Sequence, residues 1–174
     1  MENMVLKSLK ERRSIRRYEA RQVEEGKLRA ILEAGTYAAT GMNRQSPIMV
    51  VVQDSDTREK LRKMNAAIMG NPDMDPFYGA PTIVIVLADR TVPTCVEDGS
   101  LVMGNLMNAA YAVGVDSCWI HRARQEFDSE EGKQLLREWG IEGDYIGVGH
   151  CILGYRDCDM PEAKPRKQTY IYRV

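Results

Sequence analysis

Four arginines fall within six residues, Arg12-Arg13-Ser14-Ile15-Arg16-Arg17, and a second basic cluster without an acid, Lys164-Pro165-Arg166-Lys167, stands near the other end. A planar guanidinium offers several donors in a fixed fork that matches phosphate oxygens, and Ser14 adds a hydroxyl donor. The first cluster is therefore suited to a phosphate monoester. Taken alone, such a run is more often a solvated basic turn after a helix. Other chemistries find less material. Cys95, Cys118, Cys151 and Cys158 form no C-x-x-C pair, and His121 and His150 stand at no spacing that suggests a zinc site. No Ser-His-Asp, paired-carboxylate or metal constellation is visible.

The elements that must position these residues follow from periodicity. Val5, Leu6 and Leu9 mark a short opening helix, after which the arginines lead an extended segment to Arg21. Leu28, Ile31, Leu32 and Gly35 keep the i, i+3, i+4, i+7 pattern of a helix over about 24–39. The polar stretch 40–46 reads as loop, and Ile48 to Gln53 as a buried β-branched strand. Asp54, Ser55 and Asp56 offer N-caps for a helix through Leu61, Met64 and Ile68, and 70–81 reads as a surface loop. A second strand spans Thr82 to Ala88. Thr94 with Glu97 has the form of a capping box opening a long helix that Gly114 stops. Asp116 to Ile120 is a third strand, Asp128 with Glu131 caps a further helix ended by Gly140, and Tyr145 to Leu153 is a fourth strand. The tail over about 154–174 is polar, with a strand-like Tyr170-Ile171-Tyr172. Helices and strands alternate without repeat or linker, which predicts one domain over 1–174 with a central sheet packed between helices.

Composition narrows the partners. The 174 residues are 44% hydrophobic and 28% charged, the mix of an ordinary globular protein. Lys plus Arg total 24 against 25 Asp plus Glu, and the net charge of -1 gives no global attraction to nucleic acid or an anionic membrane. The apolar run Ile83 to Ala88 is far below the ~20 residues of a membrane span. The N-terminal stretch, charged at Glu2, Lys7 and Lys10, has no apolar core of secretory length. With thiols expected to be reduced, the expectation is a cytoplasmic protein.

In this order, three segments resemble the nitroreductase family of flavin mononucleotide (FMN) enzymes over nearly the whole chain. They are Arg12-Arg13-Ser14-Ile15-Arg16 after the opening helix, the loop Ala39-Thr40-Gly41-Met42-Asn43-Arg44-Gln45, and Gly154-Tyr155 followed by Lys164-Pro165-Arg166. The resemblance implies an α+β sandwich with a central mixed, mostly antiparallel sheet flanked by helices, assembled as a homodimer with FMN at the interface. It also implies ping-pong redox chemistry, in which NAD(P)H reduces the flavin and a flat small-molecule acceptor, a nitroaromatic or quinone, takes the electrons.

Each part of FMN then has a candidate partner. Arg12, Arg13, Ser14, Arg16, Lys164 and Arg166 suit the phosphate, and Asn43 and Gln45 supply amides for the ribityl chain or ring edge. Ala39, Thr40 and Gly41 are small enough to lie against the ring. Asn65 matches a family position facing the flavin pyrimidine. Trp119, Ile120 and His121 match a segment whose backbone amides approach the ring, where a donor would adjust its potential. Arg122, with Phe77 and Tyr78 of a substitute lid over 69–79, is assigned to the substrate pocket. No side chain is assigned as an obligatory acid or base. Two departures stand out. Gln45 is followed by Ser46-Pro47-Ile48 where many relatives have Pro and Trp, and 88–94 leaves no room for the helical insertion of larger members. Two other readings stay open: different flavin chemistry on the same scaffold (dehalogenation, enone reduction or flavin fragmentation), and a non-enzymatic protein that binds a phosphorylated ligand.

Overall fold

The structure, a computed structural model, describes residues 3–174; Glu2, one of the N-terminal charges noted above, lies outside the described residues with Met1. In chain order the elements are α1 (Met4–Glu11), α2 (Glu25–Thr36), β1 (Pro47–Val52), α3 (Ser55–Met69), β2 (Thr82–Asp89), α4 (Cys95–Ala112), β3 (Asp116–Ile120), α5 (Ala123–Asp128), α6 (Glu130–Glu138) and β4 (Tyr145–Gly154). Short 3₁₀ turns occur at Gly41–Asn43 and Gln168–Tyr170. The strands form one sheet in the order β1-β2-β4-β3, every named pair antiparallel.

β2 and β4 are the inner strands and read as almost unbroken apolar runs because both sheet faces are covered. Alternate residues divide between two core layers. Ile83, Ile85, Leu87 and Ile152 pack with α3, α5 and α6 residues such as Leu61, Phe127 and Leu135. Val84, Val86, Cys151 and Leu153 pack with Leu28, Ile31, Met103 and Leu106 of α2 and α4. Helix ends follow local chemistry. The Asp54 side chain caps α3 by accepting from the Asp56 and Thr57 amides, and Gly70 closes it in the left-handed region.

Several expected details are corrected. The second helix ends at Thr36 rather than near Ala39, followed by the exposed Tyr37. Thr94 makes no capping bond; its hydroxyl turns to Asp98 instead. Ser129, not Asp128, caps α6, and Ala123–Asp128 forms a separate short helix. The tail's Tyr170 is the last residue of a 3₁₀ turn and, with Ile171 and Tyr172, stands exposed rather than in a strand.

The two edges of the sheet differ. The β3 edge is covered by the N-terminal arm, where Ser14 bridges Ser117 in parallel and the Ile15 amide donates to the Ser117 carbonyl at 3.1 Å. β1 pairs only with β2 among the described residues, so its outer edge is open.

Candidate functional site

The arginine segment is fixed by its apolar members. Ile15 is fully buried, and Tyr18 is buried with its hydroxyl donating to the Ile15 carbonyl at 2.9 Å. The Glu19 amide bonds the Tyr155 carbonyl at 2.8 Å, so the arm lies between β3 and the end of β4. Gly154 is required here because a Cβ would press on the Tyr18 ring and Pro81. With Ile15 and Tyr18 turned inward, the intervening Arg16 and Arg17 stay exposed.

Charge at this corner is only partly compensated. Arg12, Arg13 and Arg16 form no ion pair among the described residues, whereas Arg17 pairs with Asp157. Arg13 donates one terminal nitrogen to the carbonyls of Lys10 and Arg12, at 2.7 and 2.8 Å. Nη1 of Arg12, Nε of Arg13 and Oγ of Ser117 are nevertheless buried without a hydrogen-bond partner. Buried donors are normally satisfied, and three orphans on one arm and the strand it covers are donors that an oxyanion could satisfy. Ser117 escaped the sequence reading because its neighbour is Ser14, remote in the chain. Lys164 and Arg166 lie in the part of the tail, 161–174, that is exposed throughout, and they make no hydrogen bond or ion pair among the described residues.

The small-residue loop is held by a carboxylate that sequence reasoning missed. Asp98 of α4 is 2% exposed; one oxygen accepts from the Gly41 amide at 2.9 Å, the other from Ser46 Oγ at 2.9 Å and Thr94 Oγ1 at 3.1 Å. Burial pushes its carboxyl up, and the bonds from Gly41, Ser46 and Thr94 outweigh that and leave it below its usual value. Gly41 has no room for a Cβ against Thr94. Thr40 Oγ1 accepts from the Gln45 amide, and Gln45 Nε2 donates to Asn43 Oδ1. Met42, Asn43 and Gln45 all take positive φ, of 53°, 54° and 52°. Three non-glycine residues in the left-handed region within four positions amount to stored strain, which collects at ligand-handling segments.

A single protomer does not unite loop and arginines. Pro47, which follows the loop, pairs with Ala88 at the end of β2, whereas Ser117, beside Ser14, pairs with Leu153, which faces Thr82 at the start of β2. Six residues of strand separate these levels by about 20 Å, and three strand spacings add ~14 Å across the sheet. The loop and the arginine arm occupy diagonal corners.

Between them, at the end of β3, lies the third expected segment. Trp119, partly buried, packs against the α2 and α4 layer, and Ile120 is buried in the opposite layer, where only its backbone could meet a ligand. His121 is exposed. Arg122, half-buried at φ 79°, donates from Nε to Asn65 Oδ1 at 2.8 Å. Asn65 itself is fully buried, and its amide donates to the His121 carbonyl at 3.0 Å and to Glu126 Oε1. It therefore presents no surface to a ligand in the protomer and acts on the turn instead. Phe77 is corrected more firmly: it is fully buried, edge-on to His150, and cannot line a substrate pocket. The expected lid over 69–79 is also tied down. Asp75 accepts from the Phe77 and Gly79 amides and from Arg58, while Arg62 holds the carbonyls of Pro72 and Met74. Tyr78 is half-buried against the same core layer. A cavity of about 530 Å³ beside Arg90, Arg137 and Tyr145 contains none of the expected residues, and a smaller one of about 150 Å³ includes Thr40 and Gln45.

Residues 9–76 match the model of the nitroreductase family. A protein of Archaeoglobus fulgidus, provisionally named NADH dehydrogenase/NAD(P)H nitroreductase, is 32% identical over 154 residues that cover 86% of this chain and 84% of that one. This chain belongs to the nitroreductase family. A crystal structure of a nitroreductase with bound FMN from Bacteroides fragilis superposes with a TM-score of 0.90 at 29% identity, covering 99% of this chain and 100% of that one. A second FMN-bound nitroreductase, from Desulfitobacterium hafniense, shares the fold at a TM-score of 0.89 and 23% identity, with full coverage of both chains (100% of each). The family fold accounts for the placement of the loop, the arm and the β3 turn around one sheet.

Proposed function

We propose that this nitroreductase-family protein is an FMN-dependent NAD(P)H oxidoreductase that reduces nitroaromatic, quinone or similar flat acceptors by a ping-pong sequence. The observation that carries this reading is the set of buried, partnerless donors on Arg12, Arg13 and Ser117, which fits the dianionic phosphate of a mononucleotide. When bound, FMN supplies the two-electron carrier that takes hydride from the nicotinamide and passes the electrons on. The protein binds, orients and polarises. Arg12, Arg13, Ser14 and Arg16 hold the phosphate, joined by Lys164 and Arg166 from the tail. From Ser117 to His121 is about 13 Å of strand, the reach between a phosphate at the arm and a ring at the β3 turn.

In this reading the ring's other face is met by the loop Ala39 to Gln45 of a second copy of the chain, and the diagonal placement of loop and arm supports that. A homodimer with two shared sites also gives cover to Met4, Val5, Leu9, Tyr37, Ile171 and Tyr172, which stand exposed here. Twofold symmetry generates both sites at once. No helix of the described residues is long and apolar enough to cross a membrane, and a supply of reduced nicotinamide suits the cytoplasm.

The test is the visible spectrum of the purified protein, recorded before and after anaerobic addition of NADH or NADPH. Flavin bands that bleach on addition are expected. Absence of flavin, even after reconstitution with free FMN, would overturn the reading.

A further inference from the structure

We propose that His150, Glu126 and Asn65 form a buried positioning chain that aims the Arg122 guanidinium, and that Arg122 selects acceptors carrying an anionic group such as a carboxylate. This deepens the oxidoreductase reading and rests on it.

The chain runs from the middle of the sheet to the turn after β3. His150 Nε2 lies 2.8 Å from Glu126 Oε2, and both residues are fully buried. It is a close approach without hydrogen-bond geometry: Oε2 of Glu126 and both ring nitrogens of His150 have no hydrogen-bond partner among the described residues, so His150 acts on Glu126 by packing and proximity. The other Glu126 oxygen accepts from the Asn65 amide, which also donates to the His121 carbonyl. Since a carboxylate oxygen must be met by a donor, Asn65 turns its NH₂ toward Glu126 and its oxygen outward, where Arg122 Nε meets it at 2.8 Å. Sequence reading assigned nothing to Glu126 or His150. The placement of His150 within the apolar strand Tyr145–Gly154 was the available signal.

The turn is held tightly. Arg122 keeps φ 79° as a non-glycine residue, a conformation that persists only where its surroundings over-determine it. Gly147 of β4 admits no Cβ because one would overlap the Ala123 carbonyl, and Gly132 of α6 is likewise closed by the Glu126 carbonyl. The α5 backbone is thus pressed between β4 and α6. A long flexible side chain is fixed through its Nε, which leaves both terminal nitrogens without a protein partner among the described residues, and Arg122 enters no ion pair there. An aimed guanidinium with a free fork is a receptor for a planar oxyanion. Glu126 does not consume that charge, because the amide of Asn65 stands between the two.

The test uses the flavin-loaded protein and compares 4-nitrobenzoate with nitrobenzene as acceptors, together with calorimetric binding of benzoate to the oxidised protein. Arg122→Gln is expected to lower the nitrobenzoate-to-nitrobenzene ratio of kcat/KM by about tenfold or more and to weaken benzoate by a similar factor. Arg122→Lys should restore part of both. Glu126→Gln, which keeps volume, should lower the ratio in the Arg122 protein and leave it unmoved in the Arg122→Gln background, since the effect passes through Arg122. An equal loss for both acceptors in Arg122→Gln, or unaltered benzoate binding, overturns the selection of anions by Arg122. A Glu126→Gln effect of the same size in both backgrounds overturns the positioning chain. A protein that takes up no flavin refutes the oxidoreductase reading instead, and benzoate calorimetry on Arg122→Gln still decides the anion site.

Discussion

A guanidinium nitrogen buried without a partner costs roughly 1–3 kcal/mol, and Arg12 and Arg13 each carry one. In the proposed site an incoming phosphate would recover that cost. Arg12→Ala is therefore expected to weaken FMN binding by about tenfold or more, measured by quenching of flavin fluorescence, with a smaller deficit at high salt. Asp98 offers a second test at this scale. Its folded value is depressed below 3.8, so its support for the loop is complete above the ordinary carboxylate value and is lost as pH falls through the lowered one. Flavin release on acidification should show that step, and Asp98→Asn should remove it while binding flavin less tightly at neutral pH. An unaltered acid profile in Asp98→Asn would assign the release to other carboxylates. The arginines were legible in sequence because like charges without acids are visible as a run. Asp98, Ser117 and Glu126 were not, since each owes its role to groups distant in the chain. Phe77 was misplaced because an aromatic in a Pro-rich stretch looks the same whether it covers a pocket or plugs the core.

The long periodic elements could be read almost to their ends: α3 with its Asp54 cap, and the inner strands β2 and β4. Those that failed are short. The six residues of α5 cover fewer than two turns, too few for a period to show, and the Thr94 capping pattern lost its hydroxyl to Asp98. One of the tightest contacts between elements is that of β4 with α5 at Gly147. Gly147→Ala drives a methyl into the Ala123 carbonyl and should destabilise the fold by roughly 1–3 kcal/mol, seen as a lower urea midpoint at unchanged slope. The same substitution at Gly104, where a Cβ meets nothing, should cost nothing measurable or stabilise the helix slightly.

For the whole molecule, the diagonal placement of arm and loop makes the proposed shared site testable. Two defective proteins should rescue each other. Mixing an Arg12→Ala chain with a Gly41→Val chain and allowing exchange gives heterodimers in which one site draws its arm and its loop from intact segments. About a quarter of all sites should then bind flavin tightly, while no recovery would place arm and loop of each site on the same chain. A central sheet between helices was legible from the alternation of elements, while its mostly antiparallel pairing and the dimer were implied by resemblance to the family. What composition could not reveal is the corner-to-corner geometry, because strand order is set by long-range pairing.

β1 carries a further consequence. Met49-Val50-Val51-Val52 forms an apolar edge whose outer backbone groups have no partner among the described residues. Such an edge is a template for stacking with any extended segment. The open edge is therefore a seed for cross-β aggregation, and heating at high protein concentration should cloud the solution irreversibly where a dilute sample refolds.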